Sequence, residues 1–183
     1  FRFIHTSDLH LGRRFANIPQ AQDSHVRGRL MEARFASINR LSSLALEAGA
    51  KHILLAGDTF DTATPSQSVV RQALGAMGEA SPIQWWLLPG NHDNLNDAEA
   101  LWTEIASTSP DNVHTIFSTN AIELEKNVFL LPCPLEFRSI GRDPTEHLAK
   151  VQTPPGALRI GLAHGGIVDF GGMGASIPAD RAN

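Results

Sequence analysis

Four fragments of the chain carry side chains that bind metal ions well, and each follows a short apolar run. They are Asp8-Leu9-His10 after Phe3-Ile4, Gly57-Asp58-Thr59-Phe60-Asp61 after Ile53-Leu54-Leu55-Ala56, Gly90-Asn91-His92-Asp93 after Trp85-Trp86-Leu87-Leu88, and His164-Gly165 after Ile160-Gly161-Leu162-Ala163. Carboxylate, imidazole and carboxamide groups therefore gather at four strand ends. In an extended segment residues i and i+2 point the same way, so Asp8 and His10 can grip one ion together. Asp58 has two oxygens and can bridge two cations, while Asn91 offers a carbonyl oxygen and His164 a ring nitrogen. Gly57 and Gly90 let the backbone turn sharply beside these ligands. Mixed oxygen and nitrogen donors suit Mn, Fe or Zn better than Ca or Mg. Two such ions ~3.5–4 Å apart clamp a phosphoryl group and acidify a water for in-line attack. His92 is placed to stabilise the transition state or protonate the leaving oxygen, and Asp61 to orient that imidazole.

Each fragment alone also reads as an ordinary turn or polar loop. Their order and their common place at strand ends argue for one site. Arg13 and Arg14 follow the first fragment and fall at its rim. They are candidates to hold substrate phosphates, with a solvated basic pair as the plain alternative. Arg27, Arg29 and Arg34 read as the solvent side of a helix. Phe15 and Phe60 read as core or loop anchors, with contact to a base as the alternative. His5 reads as a packed strand residue, and His25, His52, His114 and His147 as structural or surface histidines. Cys133 is the only cysteine, so no intrachain disulfide can form. It reads as a packed small residue rather than a nucleophile, and this usage suits a reducing compartment such as the cytoplasm.

The elements that must position these residues are legible in part. Phe1–His5 reads as a first strand, followed by a polar loop over residues 6–21 with Gly12 and Pro19. Met31, Phe35, Ile38, Leu41, Ala45 and Ala48 recur at three- and four-residue steps, one face of a helix from about Val26 to Ala48 that Gly49 stops. His52–Ala56, Ile83–Leu88 and Leu158–Ala163 read as buried strands. Thr64-Pro65-Ser66-Gln67 predicts a helix start with a threonine cap, and Val70, Ala73, Leu74 and Met77 line that helix. Asn96 is the expected cap of a helix carrying Leu101, Trp102 and Ile105. Val113–Phe117, Ala121–Leu124 and Val128–Leu131 are short strand candidates, and a weak helix is expected from Pro144 to Val151. Gly171-Gly172-Met173-Gly174 reads as a loop. Apolar strands without alternation, separated by helices, imply an α/β fold with a sheet covered on both faces.

The 183 residues suffice for one domain with a sizeable core. No apolar run approaches the ~20 residues of a membrane span, so no membrane partner is expected. The formal net charge of -4 does not indicate a strongly basic nucleic-acid binder. Two divalent cations would nevertheless cancel the charges of Asp8, Asp58, Asp61 and Asp93, so this balance excludes no phosphate substrate.

The motif series resembles the calcineurin-like metallophosphoesterase superfamily over nearly the whole chain. Thr6-Ser7-Asp8-Leu9-His10-Leu11-Gly12, Gly57-Asp58-Thr59-Phe60-Asp61 and Pro89-Gly90-Asn91-His92-Asp93 are most similar to the SbcD-type DNA repair nucleases. That resemblance implies a four-layer α/β/β/α sandwich and Mn-dependent exonuclease and endonuclease cleavage of DNA, with an SMC-like ATPase as partner. It also implies one ion on Asp8, His10 and Asp58, a second on Asp58, Asn91 and His164, and His92 as the catalytic histidine. Such nucleases often dimerise near the third motif, which makes Asn96–Ser107 a candidate homodimer surface beside its alternative, intramolecular packing. Within these 183 residues the family's last motif, Gly-His-x-His, does not follow His164, and no segment reads as the family's DNA-capping domain. The expectation is an incomplete N-terminal portion of a nuclease domain, with that motif soon after Asn183. Purple acid phosphatases use a tyrosine ligand, and this chain has no tyrosine. Serine/threonine phosphatases carry Arg-Gly after the second motif, where Thr62-Ala63 stands here. A cyclic-nucleotide or small-molecule phosphodiesterase or phosphatase, and a non-catalytic interaction scaffold, are the alternatives.

Overall fold

The computed structural model describes residues 1–16, 18, 25–80, 82–139 and 143–166. Expectations for Pro19, for Gly171–Gly174 and for the last motif lie outside the described residues. Seven strands and three α-helices are described: β1 (Phe3–Thr6), α1 (Val26–Ala48), β2 (His52–Ala56), α2 (Gln67–Glu79), β3 (Gln84–Leu88), α3 (Glu99–Thr108), β4 (Val113–Thr115), β5 (Ile122–Glu125), β6 (Val128–Cys133) and β7 (Leu158–Ala163). A 3-10 turn over Glu146–Lys150 stands where the sequence predicts a weak helix.

The first sheet is parallel throughout, in the order β1-β2-β3-β4. Helices α1, α2 and α3 cover one face, where Ile53, Leu55, Trp85 and Leu87 meet Ile38, Ala45, Val70, Met77, Trp102 and Ile105. The second sheet runs β5-β6-β7, with β5 antiparallel and β7 parallel to β6. The sheets face each other through Leu54, Ala56, Leu88, Ile116, Leu130 and Leu162. The 3-10 turn lies outside the second sheet, where Arg159 donates to the Leu148 carbonyl. Helices, sheet, sheet and helical turn give the four-layer α/β/β/α sandwich. β2 is buried on both faces, as its unbroken apolar run requires, whereas edge strand β1 alternates exposed and half-buried.

Several boundaries differ from expectation for local reasons. The α1 stripe closes at Ala45, with Ser42 buried and Ala48 exposed, and the Gly49 N–H caps the Ala45 and Leu46 carbonyls. Thr64 and Pro65 precede α2 rather than cap it. Ser66 holds the cap position without a side-chain cap bond, and its hydroxyl meets Ser68 Oγ instead. Asn96 does not cap α3. Asn94 forms the turn before it, accepting from the Asp97 N–H at 2.9 Å and donating to the Asp97 carboxylate. Leu101, Trp102 and Ile105 of α3 are buried in the core. Among the described residues, no helix is long and apolar enough to cross a membrane.

Candidate metal centre

Parallel register brings the motif-bearing strand ends to one edge: Thr6 pairs with Leu55, Ala56 with Leu88, and Cys133 with Ala163. The loops that follow stay paired. Asp8 N–H donates to the Gly57 carbonyl at 3.2 Å, His10 N–H to Asp58 at 3.0 Å and Leu11 N–H to Thr59 at 2.9 Å. Asp8, His10 and Asp58 all take left-handed backbone, with φ of 59°, 44° and 54°. That region disfavours non-glycine residues by ~1–2 kcal/mol each. Strain of this kind gathers at functional sites. Gly57 and Gly90 are required by close approach: a Cβ on Gly57 would lie 2.8 Å from Gly90 Cα, and one on Gly90 would overlap Asp58.

Asp58 is buried, with one oxygen toward each of two histidines. Its Oδ2 lies 3.8 Å from His10 Nε2, which is also 3.6 Å from Asp8 Oδ1. Its Oδ1 lies 3.5 Å from His164 Nε2 and accepts the His92 N–H at 3.0 Å. The carboxylate–imidazole separations exceed hydrogen-bond length and approach the edge of a coordination shell with bonds of ~2.1 Å. The donor atoms of Asp8, His10 and Asp58 lie within 4.8 Å of one another, and so do those of His10, Asp61 and His92.

The His164 side tests the fit independently. His164 Nδ1 lies 2.7 Å from the Ala56 carbonyl, which only accepts, so Nδ1 carries the proton. Nε2 lies 2.7 Å from Asn91 Oδ1, and a ring protonated at Nδ1 alone offers its Nε2 lone pair to a metal ion. Asp58 Oδ1, 3.5 Å from His164 Nε2, completes a set of three oxygen and nitrogen groups. These are oxygen and nitrogen donors of the kind a divalent transition-metal ion takes. The residues present therefore fit metal ions on both sides of Asp58.

His92 stands edge-on to His10, with ring centroids 4.8 Å apart. Its Nδ1 donates to Asp61 at 2.8 Å, but the acceptor is the main-chain carbonyl. The sequence assigns that contact to the Asp61 carboxylate, which instead faces His10 Nδ1 at 3.3 Å and Arg13 Nη1 at 3.8 Å. Burial holds the His10 pKa below the ordinary imidazole value, His92 adds to this, and Asp58, Asp61 and Asp8 oppose it. A neutral His10 is the form that binds a metal.

Sequence reasoning named Asp93 within a motif and gave it no role. Its buried carboxylate accepts Gly90 N–H at 2.7 Å and Phe60 N–H at 3.0 Å, so it joins the second and third motif loops. Burial pushes its pKa up to about 6, against the lowering effect of those two hydrogen bonds. Trp102 Nε1 donates to the Asp93 carbonyl, which ties the pair of loops to α3. Arg27 and Arg34 are not solvent-facing as expected: Arg34 reaches the Leu9 carbonyl inside the first motif, and Arg27 reaches the Ile18 carbonyl in the loop after it. Phe60 is core, whereas Phe15 stays half-buried beside the Arg13 and Arg34 guanidinium groups. His5 is exposed rather than packed. Cys133 is buried and its thiol pKa is pushed up to about 12, which agrees with a packing role.

The centre opens into two cavities. One of about 350 Å³ is lined by His5, Ser7, Asp8, Asn91, Leu135 and His164. The other, a groove of about 900 Å³, includes Arg13, Arg14, Phe15, Asp61, Gln72 and His92. Thr64, Pro65 and Ser66, expected to start a helix, form part of its wall.

A parallel sheet thus faces a mixed sheet, with a buried carboxylate set between two imidazoles at their shared edge. The chain belongs to the calcineurin-like phosphoesterase family, whose pattern matches residues 1–177. It is similar to an uncharacterized metallophosphoesterase, YhaO of Bacillus subtilis, with 36% identity over 130 residues. The match covers 69% of this chain and 30% of that relative, so the chain spans less than a third of its length.

Proposed function

We propose that the chain is the catalytic part of a Mn-dependent DNA nuclease, an SbcD-type subunit that works with an SMC-like ATPase in the cytoplasm. The observation that carries this reading is the opening of the centre on two sides. A phosphate monoester has one organic substituent, whereas a diester continues past phosphorus in both directions. Arg13 and Arg14 line the larger groove and offer charge to a nucleic-acid backbone. Phe15 adds a ring to the same wall.

Divalent cations held by Asp8, His10, Asp58, Asn91 and His164 would polarise the phosphoryl oxygens and acidify water. The chain supplies the rest. Asp58 fixes the two donor sets relative to each other. The Asp61 carbonyl commits His92 Nδ1 as a donor, so the doubly protonated ring would hand its Nε2 proton to the leaving oxygen and keep the Nδ1 proton. Arg13 is held near Asp61 and so stays at the edge of this path.

The net charge of -4 favours a second reading, a small-molecule phosphodiesterase or phosphatase. The full-length protein with Mn distinguishes them: DNA digestion supports the nuclease, and fast turnover of a cyclic nucleotide without DNA cleavage supports the alternative. Asp58→Ala is expected to lose both metal loading and activity. His92→Ala is expected to keep its metal while turnover falls ~100-fold to 10,000-fold. Equal metal loss in both variants contradicts this division of roles.

A further inference from the structure

The loop that carries Asp8 and His10 is held from two directions. Its N–H groups are taken by the carbonyls of Gly57, Asp58 and Thr59. Its carbonyls are taken from the other side by α1, where Arg34 Nη1 donates to Leu9 at 2.5 Å and lies 3.5 Å from the Asp8 carbonyl. The same guanidinium sits 5.2 Å over the Phe15 ring. Seven residues earlier, about two turns along α1 and on the same face, Arg27 donates to the Ile18 carbonyl at 3.0 and 2.6 Å and to Ala16 at 3.2 Å. Asp8 and His10, the ligands nearest Arg34, both take left-handed backbone. A strained loop keeps such dihedrals only where its surroundings over-determine them.

We propose that Arg34 is the positioning residue of the first metal motif. By fixing the Asp8 and Leu9 carbonyls it sets where the Asp8 carboxylate and His10 Nε2 stand. It touches neither ion nor substrate, and its effect falls on one half of the centre, since Asn91 and His164 are held by other contacts. The proposal rests on the metal-centre reading above.

Two physical effects predict opposite signs, which makes the proposal sharp. As a cation near bound divalent ions, Arg34 repels them, so removing its charge would tighten metal binding. As a positioning residue, it preorganises the ligands, and loss of such support weakens metal binding ~10–100-fold.

The test is a Mn titration of the full-length protein by calorimetry, with bound ions counted by electron paramagnetic resonance. Wild type, Arg34→Met, Arg34→Lys and Arg29→Met are compared. Arg29 lies on the exposed side of the same helix and controls for loss of charge. The expected result is ~10–100-fold weaker binding of one ion in Arg34→Met, an intermediate loss in Arg34→Lys and no change in Arg29→Met. Faster amide exchange at His10 and Leu11 in metal-free Arg34→Met is the second expected reading. Both ions bound as tightly as in wild type, or more tightly, overturn the proposal. Circular dichroism of the metal-free variants checks folding, and Arg34→Lys decides the matter if Arg34→Met does not fold. A wild type that binds no Mn overturns the metal reading itself, and this proposal with it.

Discussion

Asp58 concentrates the physical argument at the scale of single residues. A carboxylate that is buried between His10 and His164 is stable when positive charge lies close to both oxygens. The space around it is set by two glycines, and this gives a prediction. Gly90→Ala places a methyl group against Asp58, so it is expected to reduce metal loading and to destabilise the fold by ~1–3 kcal/mol. Gly28→Ala, in α1 with nothing within 4 Å of the added carbon, is expected to stabilise by ~0.5–1 kcal/mol. Thermal melting with a Mn-binding assay reads both, and normal metal loading in Gly90→Ala contradicts the close packing described. The grouping of Asp8, His10, Asp58 and Asn91 was legible because short motifs fix their local geometry. Asp93 and Arg34 were not, because their contacts are to main-chain groups distant in sequence, and such contacts leave no spacing pattern.

Elements show the same division. β2 and β7, and the full span of α1, were legible because apolar runs and a three-to-four-residue period report burial directly. The starts of α2 and α3 were misplaced, since Thr64 and Asn96 have the right chemistry for caps but the backbone turns elsewhere. Where β2, β3 and β5 meet, His52 Nδ1 accepts the Trp86 indole N–H at 3.1 Å, and Nε2 lies 3.6 Å from Glu125. His114 stacks on Trp86 from the other strand, with ring centroids 4.2 Å apart. Burial holds the pKa of His52 and of His114 below the ordinary value of 6.5. Glu125 opposes the shift at His52, while Lys51 and His114 add to it. The unfolded chain therefore takes up these protons at higher pH than the folded chain. Stability from the neutral rings is complete above the unfolded value and is lost as pH falls toward the folded values. The thermal midpoint is expected to drop between about pH 7 and about pH 5, with a change in Trp86 fluorescence. His52→Gln is expected to flatten that drop, and an unchanged slope contradicts the linkage.

On the scale of the whole molecule, two sheets built from sequence-distant strands bring the candidate ligands from residues 8 to 164 to one edge. The fold class was legible from the alternation of strands and helices. The pairing of the two sheets was legible only through the family resemblance, because no local pattern specifies which strand ends meet. His164 reaches the centre from the second sheet, and its bond to the Ala56 carbonyl joins the two halves of the sandwich. The account therefore depends on one spatial claim, that Asp58 stands between two cation positions. Anomalous diffraction at the Mn edge, on crystals of the full-length protein grown with Mn, tests it most directly. Two peaks ~3.5–4 Å apart, one on each side of the Asp58 carboxylate, are the predicted result. A single peak, or peaks that do not share Asp58, would contradict the account.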